Sequence, residues 1–390
     1  MTLRSAHYPG LDGLRGIAIL TVVAHNLQLL QDPEGSFGRA VEWGLDRGWI
    51  GVQLFFVLSG FLITGILLDS QKAPNYFKSF FARRALRIFP LYFLALAVLF
   101  LLLPALGAMP AALVATPSQQ LPFWLYVSNW TQPFGFNGGT VTHFWSLAVE
   151  EQFYLLWPFL LRNRSATATL RLSLAVAVAS LLIRLVLLDL HVRPQAIYMF
   201  SVCRMDALAL GGAMAAACRI PACAAWLRAH FRAMAWGAAG LGLLGAVVTH
   251  GYPRLSALEE SIGYTILSLA LALLVGGAAV ADIVGGGGLF AALRNRGLRL
   301  VGKYSYAVYV FHRPVSDLLG ARYLEGLLPR PDVSVMSTLI YLAAALAVCL
   351  GLAALSYRFI ERPFLKLKSR FKADAPDAPA PVAEAVGSGA

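Results

Sequence analysis

Residues 10–31 read GLDGLRGIAILTVVAHNLQLLQ, an apolar run that opens with Asp12 and Arg15 and carries His25 ten residues past the arginine. The pattern predicts one helix. At about 1.5 Å of rise per residue, the imidazole lies roughly 15 Å beyond the guanidinium. If that helix crosses a bilayer, Arg15 stands at one water boundary and His25 deep inside. An ionisable side chain at that depth costs free energy and marks a functional site.

The whole chain has the same character. Of its 390 residues 58% are hydrophobic and 13% charged, where a soluble protein would carry close to a quarter charged. This composition predicts an all-α, polytopic membrane bundle. The net charge of +12 would suggest nucleic acid in a soluble protein. Here it is read as lysine and arginine holding loops on the cytoplasmic side, with the lipid bilayer as partner and no nucleic acid. Cys203, Cys218, Cys223 and Cys349 lack zinc-type spacing and fall in or beside apolar segments, so neither a metal site nor a disulfide framework is expected. No small-residue cleavage site follows the first apolar run, which is expected to stay.

Runs of spanning length recur near 13–30, 49–68, 88–106, 143–161, 172–190, 197–217, 233–250, 261–281, 304–319 and 335–356. Ten spans put both termini in the cytoplasm. On that topology 23 lysines and arginines lie inside, six outside, and Arg184, Arg204 and Arg313 within spans, as the positive-inside rule requires. Residues 107–142 form a long outer loop rich in Pro, Gly and aromatics. Residues 1–372 make up the membrane domain, and 373–390 read as a disordered Pro/Ala-rich cytoplasmic tail. No repeated half suggests a transporter with internal symmetry.

Several polar groups stand inside these runs and should face one another or water. In HFWSLAVEEQFYLLWP, residues 143–158, the side chains His143, Ser146, Glu150 and Tyr154 follow helical spacing and form one stripe. Glu151 is turned about 100° away, so Glu150 is the glutamate expected in a cavity, and Glu151 reads equally as a helix-packing hydrogen bond or paired ion and as a direct participant. His143 reads as an interfacial residue. In FFARRALRIFPLY, read as an inner loop, Arg83, Arg84 and Arg87 are either topology anchors or phosphate ligands. Arg204 and Asp206 are two apart, do not face each other, and read as structural ties to separate partners. His312, just before Pro314, lines a cavity or makes a helix contact.

These segments, with YPGLDGLRGIAIL, GVQLFFVLSGFLITGILL, RRALRIFPLY, RMDALALGG, KYSYAVYVFHRPV and YRFIERP in this order, resemble membrane acyltransferase family 3 over residues 8 to about 366. The resemblance implies an O-acyltransferase of the bacterial plasma (inner) membrane that acts on envelope sugars, exported polysaccharides or some antibiotics. It implies acyl-CoA, most often acetyl-CoA, as cytoplasmic co-substrate, with no tightly bound cofactor, and a carbohydrate-containing acceptor. This chain is expected to be the form without an extracytoplasmic esterase domain. Carried over by motif, the catalytic set is His25, Arg15 and Glu150. Arg84 and Arg87, with Arg83, would hold the donor phosphates, and Trp145, Ser146, Tyr154 and His312 would line the substrate site. His25 would act as general base, with Glu150 orienting it or the acceptor.

The family spacing places ten residues between the first-helix arginine and histidine; here there are nine, and Asn26 holds the usual position. Eleven helical steps return almost to one face, whereas ten leave the two about 80° apart. Either a local bulge restores the facing, or Arg15 and His25 do not act as a pair. Two other activities fit the residues: acylation of a small-molecule glycoside or antibiotic, and a proton relay in a lipid or sugar exporter.

Overall fold

The computed structural model describes residues 7–30, 32–320 and 334–373. The expected tail from 374 onward, with Arg4, Arg322 and Arg330 of the topology argument, lies outside the described residues. Every regular element described is helical. The ten long helices are α1 (Pro9–Leu27), α2 (Ile50–Asp69), α3 (Tyr76–Leu96), α4 (Trp145–Leu161), α5 (Ala166–Asp189), α6 (Ser201–Ala217), α7 (Pro221–Val248), α8 (Tyr264–Val284), α9 (Arg296–Val315) and α10 (Val335–Ser356). Each overlaps one of the ten runs read from the sequence.

The largest departure is α3, which begins at Tyr76. Arg83, Arg84 and Arg87 are therefore on its helical face and not in a loop. Apolar periodicity alone begins the run at 88, because the arginines break it. Their guanidinium groups line cavities, as described below, and so need not enter lipid.

Among the described residues seven helical stretches are long and apolar enough to cross a membrane, those containing α2, α3, α5, α6, α7, α8 and α10. This is a multi-pass membrane protein. The other three also carry charged residues: Asp12 and Arg15 on α1, Glu150 and Glu151 on α4, and Arg296, Arg299, Lys303 and Arg313 on α9. Burial sorts the bundle into layers. The apolar window of α6 is 78% buried and that of α7 only 17%. The peripheral helices turn Leu182, Val186, Trp236, Leu243 and Val247 outward, an apolar exterior suited to lipid.

Inside, the helices approach closely at glycines. A Cβ on Gly60 of α2 would collide with the Leu208 carbonyl of α6, and one on Gly211 with the Val57 carbonyl. Gly13 and Gly16 of α1 meet the carbonyls of Leu293 and Leu298, while Gly302 of α9 meets that of Asp12. Association without a hydrophobic driving force relies on such small-residue contacts.

Polar ties complete the interior. Asp206 on α6 accepts from Arg184 Nη1 on α5 at 2.9 Å, with both side chains fully buried, and from the Thr265 hydroxyl at 2.8 Å. Arg204 instead donates to Gln53 on α2 and lies 4.2 Å from the Tyr264 ring centroid. The two residues take separate partners, as their spacing requires. Asp206→Ala would leave Arg184 buried without its counter-ion, and removing one partner of such a pair costs about 3–5 kcal/mol. The expected outcome is a large fall in the thermal midpoint of detergent-solubilised protein. The apolar double variant Arg184→Leu/Asp206→Leu should be more stable than Asp206→Ala alone.

Candidate active site

The basic end of the bundle is built by α3. Arg84 and Arg87 are three residues apart and share a face, while Arg83 is exposed. All three line a cavity of about 590 Å³ with Lys72 and Lys368. Arg84 and Arg87 also line a narrow inner cavity with Arg15 of α1, Ser59 of α2, and Glu150, Glu151 and Tyr154 of α4. Arg15 and Arg87 further border an opening of about 440 Å³ with Asp12 and Lys303. None of Arg15, Arg84 and Arg87 has a salt-bridge partner among the described residues. These unpaired guanidinium groups favour an anion at this end.

Within the inner cavity Glu150 is held by neighbours. Its Oε1 accepts from Ser59 Oγ at 2.8 Å and its Oε2 from the Tyr154 hydroxyl at 2.9 Å, and the two hydroxyls are themselves 2.8 Å apart. Tyr154 follows Glu150 by one helical turn, so helical geometry alone brings these two together. The carboxylate is thus fixed in orientation and faces the arginines.

His25 stands elsewhere. It lines a separate cavity of about 410 Å³ with Asn26, Gln132, Asn137, Thr142, His143, Trp145, Tyr198, Arg254 and Arg313. The imidazole Nε2 lies 3.5 Å from Arg254 Nη1, and Nδ1 is buried with no hydrogen-bond partner among the described residues. The two cavities meet at Val52 and Tyr309, which line both. Beside them Trp145 packs edge-on against Phe56 at 6.2 Å and lies 4.9 Å from Tyr198. Ser146 Oγ is 2.5 Å from the Tyr309 hydroxyl, which bonds the His143 carbonyl at 2.8 Å. The septum between the cavities is therefore tied together by hydrogen bonds.

The candidate residues thus form two groups. Arg15, Arg84, Arg87, Ser146, Glu150 and Tyr154 meet in the inner cavity; His25 and Trp145 face the other one, and Arg83 stays in the basic vestibule. No bulge interrupts α1, so Arg15 and His25 face different cavities and are not a contacting pair. Glu150 is bonded to Ser59 and Tyr154, not to His25, and does not orient the imidazole directly. Glu151 also lines the inner cavity: the cavity curves around α4 far enough to admit a side chain turned about 100° away. His143 is buried and not interfacial, with Nε2 2.9 Å from the Tyr309 carbonyl. His312 lines neither cavity. Its Nδ1 is 2.7 Å from the same carbonyl and its ring is 4.5 Å from that of His143, so it makes a helix contact behind the wall. Ser59, Lys72, Lys368, Arg254 and Tyr309 were not singled out from the sequence, and only Ser59, a hydroxyl in the apolar run FFVLSGFL, left a trace there.

Comparison with known proteins adds to this geometry. The family model described as an acyltransferase domain matches residues 8–357. The chain belongs to membrane acyltransferase family 3. The O-acetyltransferase OatA of Staphylococcus aureus is 28% identical over 382 residues, which covers 92% of this chain and 57% of that protein. A peptidoglycan O-acetyltransferase OatA of Listeria monocytogenes is 33% identical over 166 residues, covering 40% of this chain and 24% of the relative. The putative peptidoglycan O-acetyltransferase YrhL of Bacillus subtilis is 33% identical over 172 residues, covering 41% and 24%. The chain thus spans about half the length of the Staphylococcus relative. No solved structure matches it.

In this family member the Glu150 hydrogen bonds should be measurable on their own. Ser59→Ala and Tyr154→Phe each remove a donor to a carboxylate and should each lower stability by about 1–3 kcal/mol. The double variant should fall short of the sum, because both donors serve one acceptor. Thermal unfolding in matched detergent reads all three; strict additivity would show that the bonds are independent.

Proposed function

We propose that this protein is an O-acyltransferase of a bacterial inner membrane that moves an acyl group, most simply acetyl, from cytoplasmic acyl-CoA to a hydroxyl of an envelope glycan such as peptidoglycan. All ten long helices would cross the bilayer, with both termini and the basic vestibule in the cytoplasm. The observation that carries this reading is the arrangement of an unpaired arginine cluster at one end and a histidine-lined polar cavity at the other, meeting at a shared wall. The named relatives support the acetyl group and the glycan class.

In this reading the donor phosphates sit against Arg83, Arg84 and Arg87, with Lys72 and Lys368 completing the vestibule. The pantetheine arm threads the inner cavity past Arg15 and Glu150 toward the septum. The acceptor enters the other cavity. His25 takes the proton of its hydroxyl, the oxygen attacks the thioester carbonyl, and the C–S bond breaks as the CoA thiolate leaves. The thiolate then recovers the proton. Transfer through an acyl-histidine would use the same groups in two steps.

Two variants test the assignments. His25→Ala, inserted in the membrane at wild-type level, should lose acyl transfer by at least ~100-fold, the lower range for a general base. Wild-type turnover in that variant would remove His25 from the mechanism. Arg84→Ala should raise the KM for acetyl-CoA roughly tenfold, the loss of about one charge-assisted hydrogen bond, with KM for the acceptor far less affected. An unchanged donor KM would make Arg84 a topology anchor.

A further inference from the structure

The cavity around His25 has walls of one electrical sign. Arg254 and Arg313 contribute guanidinium groups to it, and no aspartate or glutamate among the described residues lines it. Arg313 has a counter-ion outside the cavity wall: its Nε is 3.9 Å from Oδ2 of Asp317. Arg254 has no carboxylate within salt-bridge distance among the described residues. Its side chain lies 5.3 Å from the Tyr198 ring centroid, and its main chain is held by the Tyr264 hydroxyl, which donates to the Arg254 carbonyl at 2.5 Å. The guanidinium is therefore positioned beside the imidazole and left without a matching anion.

Arg254 is half-buried, and its contacts with the Tyr198 ring and the imidazole leave its positive charge without a counter-charge among the described residues. Its fork of donors matches a carboxylate or phosphate bidentately. The rest of the wall, the Asn137 and Gln195 amides and the Trp145 ring, presents the polar groups and flat apolar face that can grip a sugar. We infer that Arg254 binds an oxyanion, carboxylate or phosphate, carried by the acceptor beside the hydroxyl that is acylated, so that the acceptor class is an acidic saccharide. The inference rests on the reading of this cavity as the acceptor site. Arg254 then acts as a specificity-determining residue, and the acceptor charge sets the register of the sugar against His25.

The test uses the full chain in lipid nanodiscs with labelled acetyl-CoA and two matched acceptor pairs. One is a disaccharide with an ether-linked carboxylate and its carboxamide; the other is a disaccharide 1-phosphate and the free disaccharide. In one pair the charged member should show about tenfold higher kcat/KM, carried mainly by KM, as expected for a charge-assisted bond. The pair that shows the preference identifies carboxylate or phosphate as the group bound. Arg254→Gln should bring the ratio close to one, and Arg254→Lys should leave an intermediate ratio, which decides the matter if the glutamine variant does not fold. Wild-type ratios near one in both pairs would overturn the inference. So would a preference that survives Arg254→Gln, or an equal loss on charged and neutral acceptors, which would make Arg254 part of the chemical step. Transfer to the neutral acceptors would in each of these cases leave the acyltransferase reading intact. Absence of transfer to every acceptor would overturn that reading and this inference with it.

Discussion

An unbroken α-helix cannot turn two side chains ten residues apart toward one point. That rigidity in α1 sets the layout of this protein. Arg15 and His25 are separated by roughly 15 Å of rise and about 80° of rotation, so one helix furnishes a cation to the inner cavity and an imidazole to the cavity beyond it. Gly13 and Gly16 lock α1 against its neighbours by backbone contact, so the interval cannot be shortened by sliding or tilting one end alone. The other site residues are arranged about those two fixed points.

The second constraint is the cost of charge in a bundle of this kind. Two buried arginines away from the cavities are tied to polar partners, Arg184 to Asp206 and Arg204 to Gln53. Arg15, Arg84 and Arg87 are not ion-paired among the described residues, although two glutamates stand close by. Glu150 is occupied by Ser59 and Tyr154, which leaves Arg15, Arg84 and Arg87 free for an incoming anion.

The sequence made the helices legible because apolar runs of spanning length are long signals that tolerate a few misplaced residues. It made Ser146, Glu150 and Tyr154 legible as one stripe because their spacing is local. The start of α3 was hidden because arginines that line a cavity look like loop residues to a hydropathy window. Glu151 stayed open between packing and a direct role because the angular width of a cavity is a property of neighbouring helices. Arg254 is the clearest case: it follows α7 by several residues and meets His25 across more than two hundred positions of chain. His312 errs the other way, since a histidine before a proline in an apolar run has the same pattern whether it faces a cavity or a neighbouring carbonyl.

The septum of Val52 and Tyr309 gives the two-cavity arrangement its chemical sense. In the proposed reaction a coenzyme with several phosphates would be held where Arg83, Arg84 and Arg87 gather with Lys72 and Lys368, more basic groups than the Arg254 and Arg313 of the other cavity, and moving the phosphates past Tyr309 would strip them of these partners. An acyl group is small and uncharged, so its passage carries no such electrostatic cost. Holding the donor by its charges on one side and the acceptor by its polar groups on the other, the protein would let only the thioester carbon and the hydroxyl approach each other. The hydrogen bonds that join Tyr309 to Ser146 and to the His143 carbonyl hold that wall in place. In that reading the two substrates would meet across one fixed wall, and the helices need only stay where their glycines lock them.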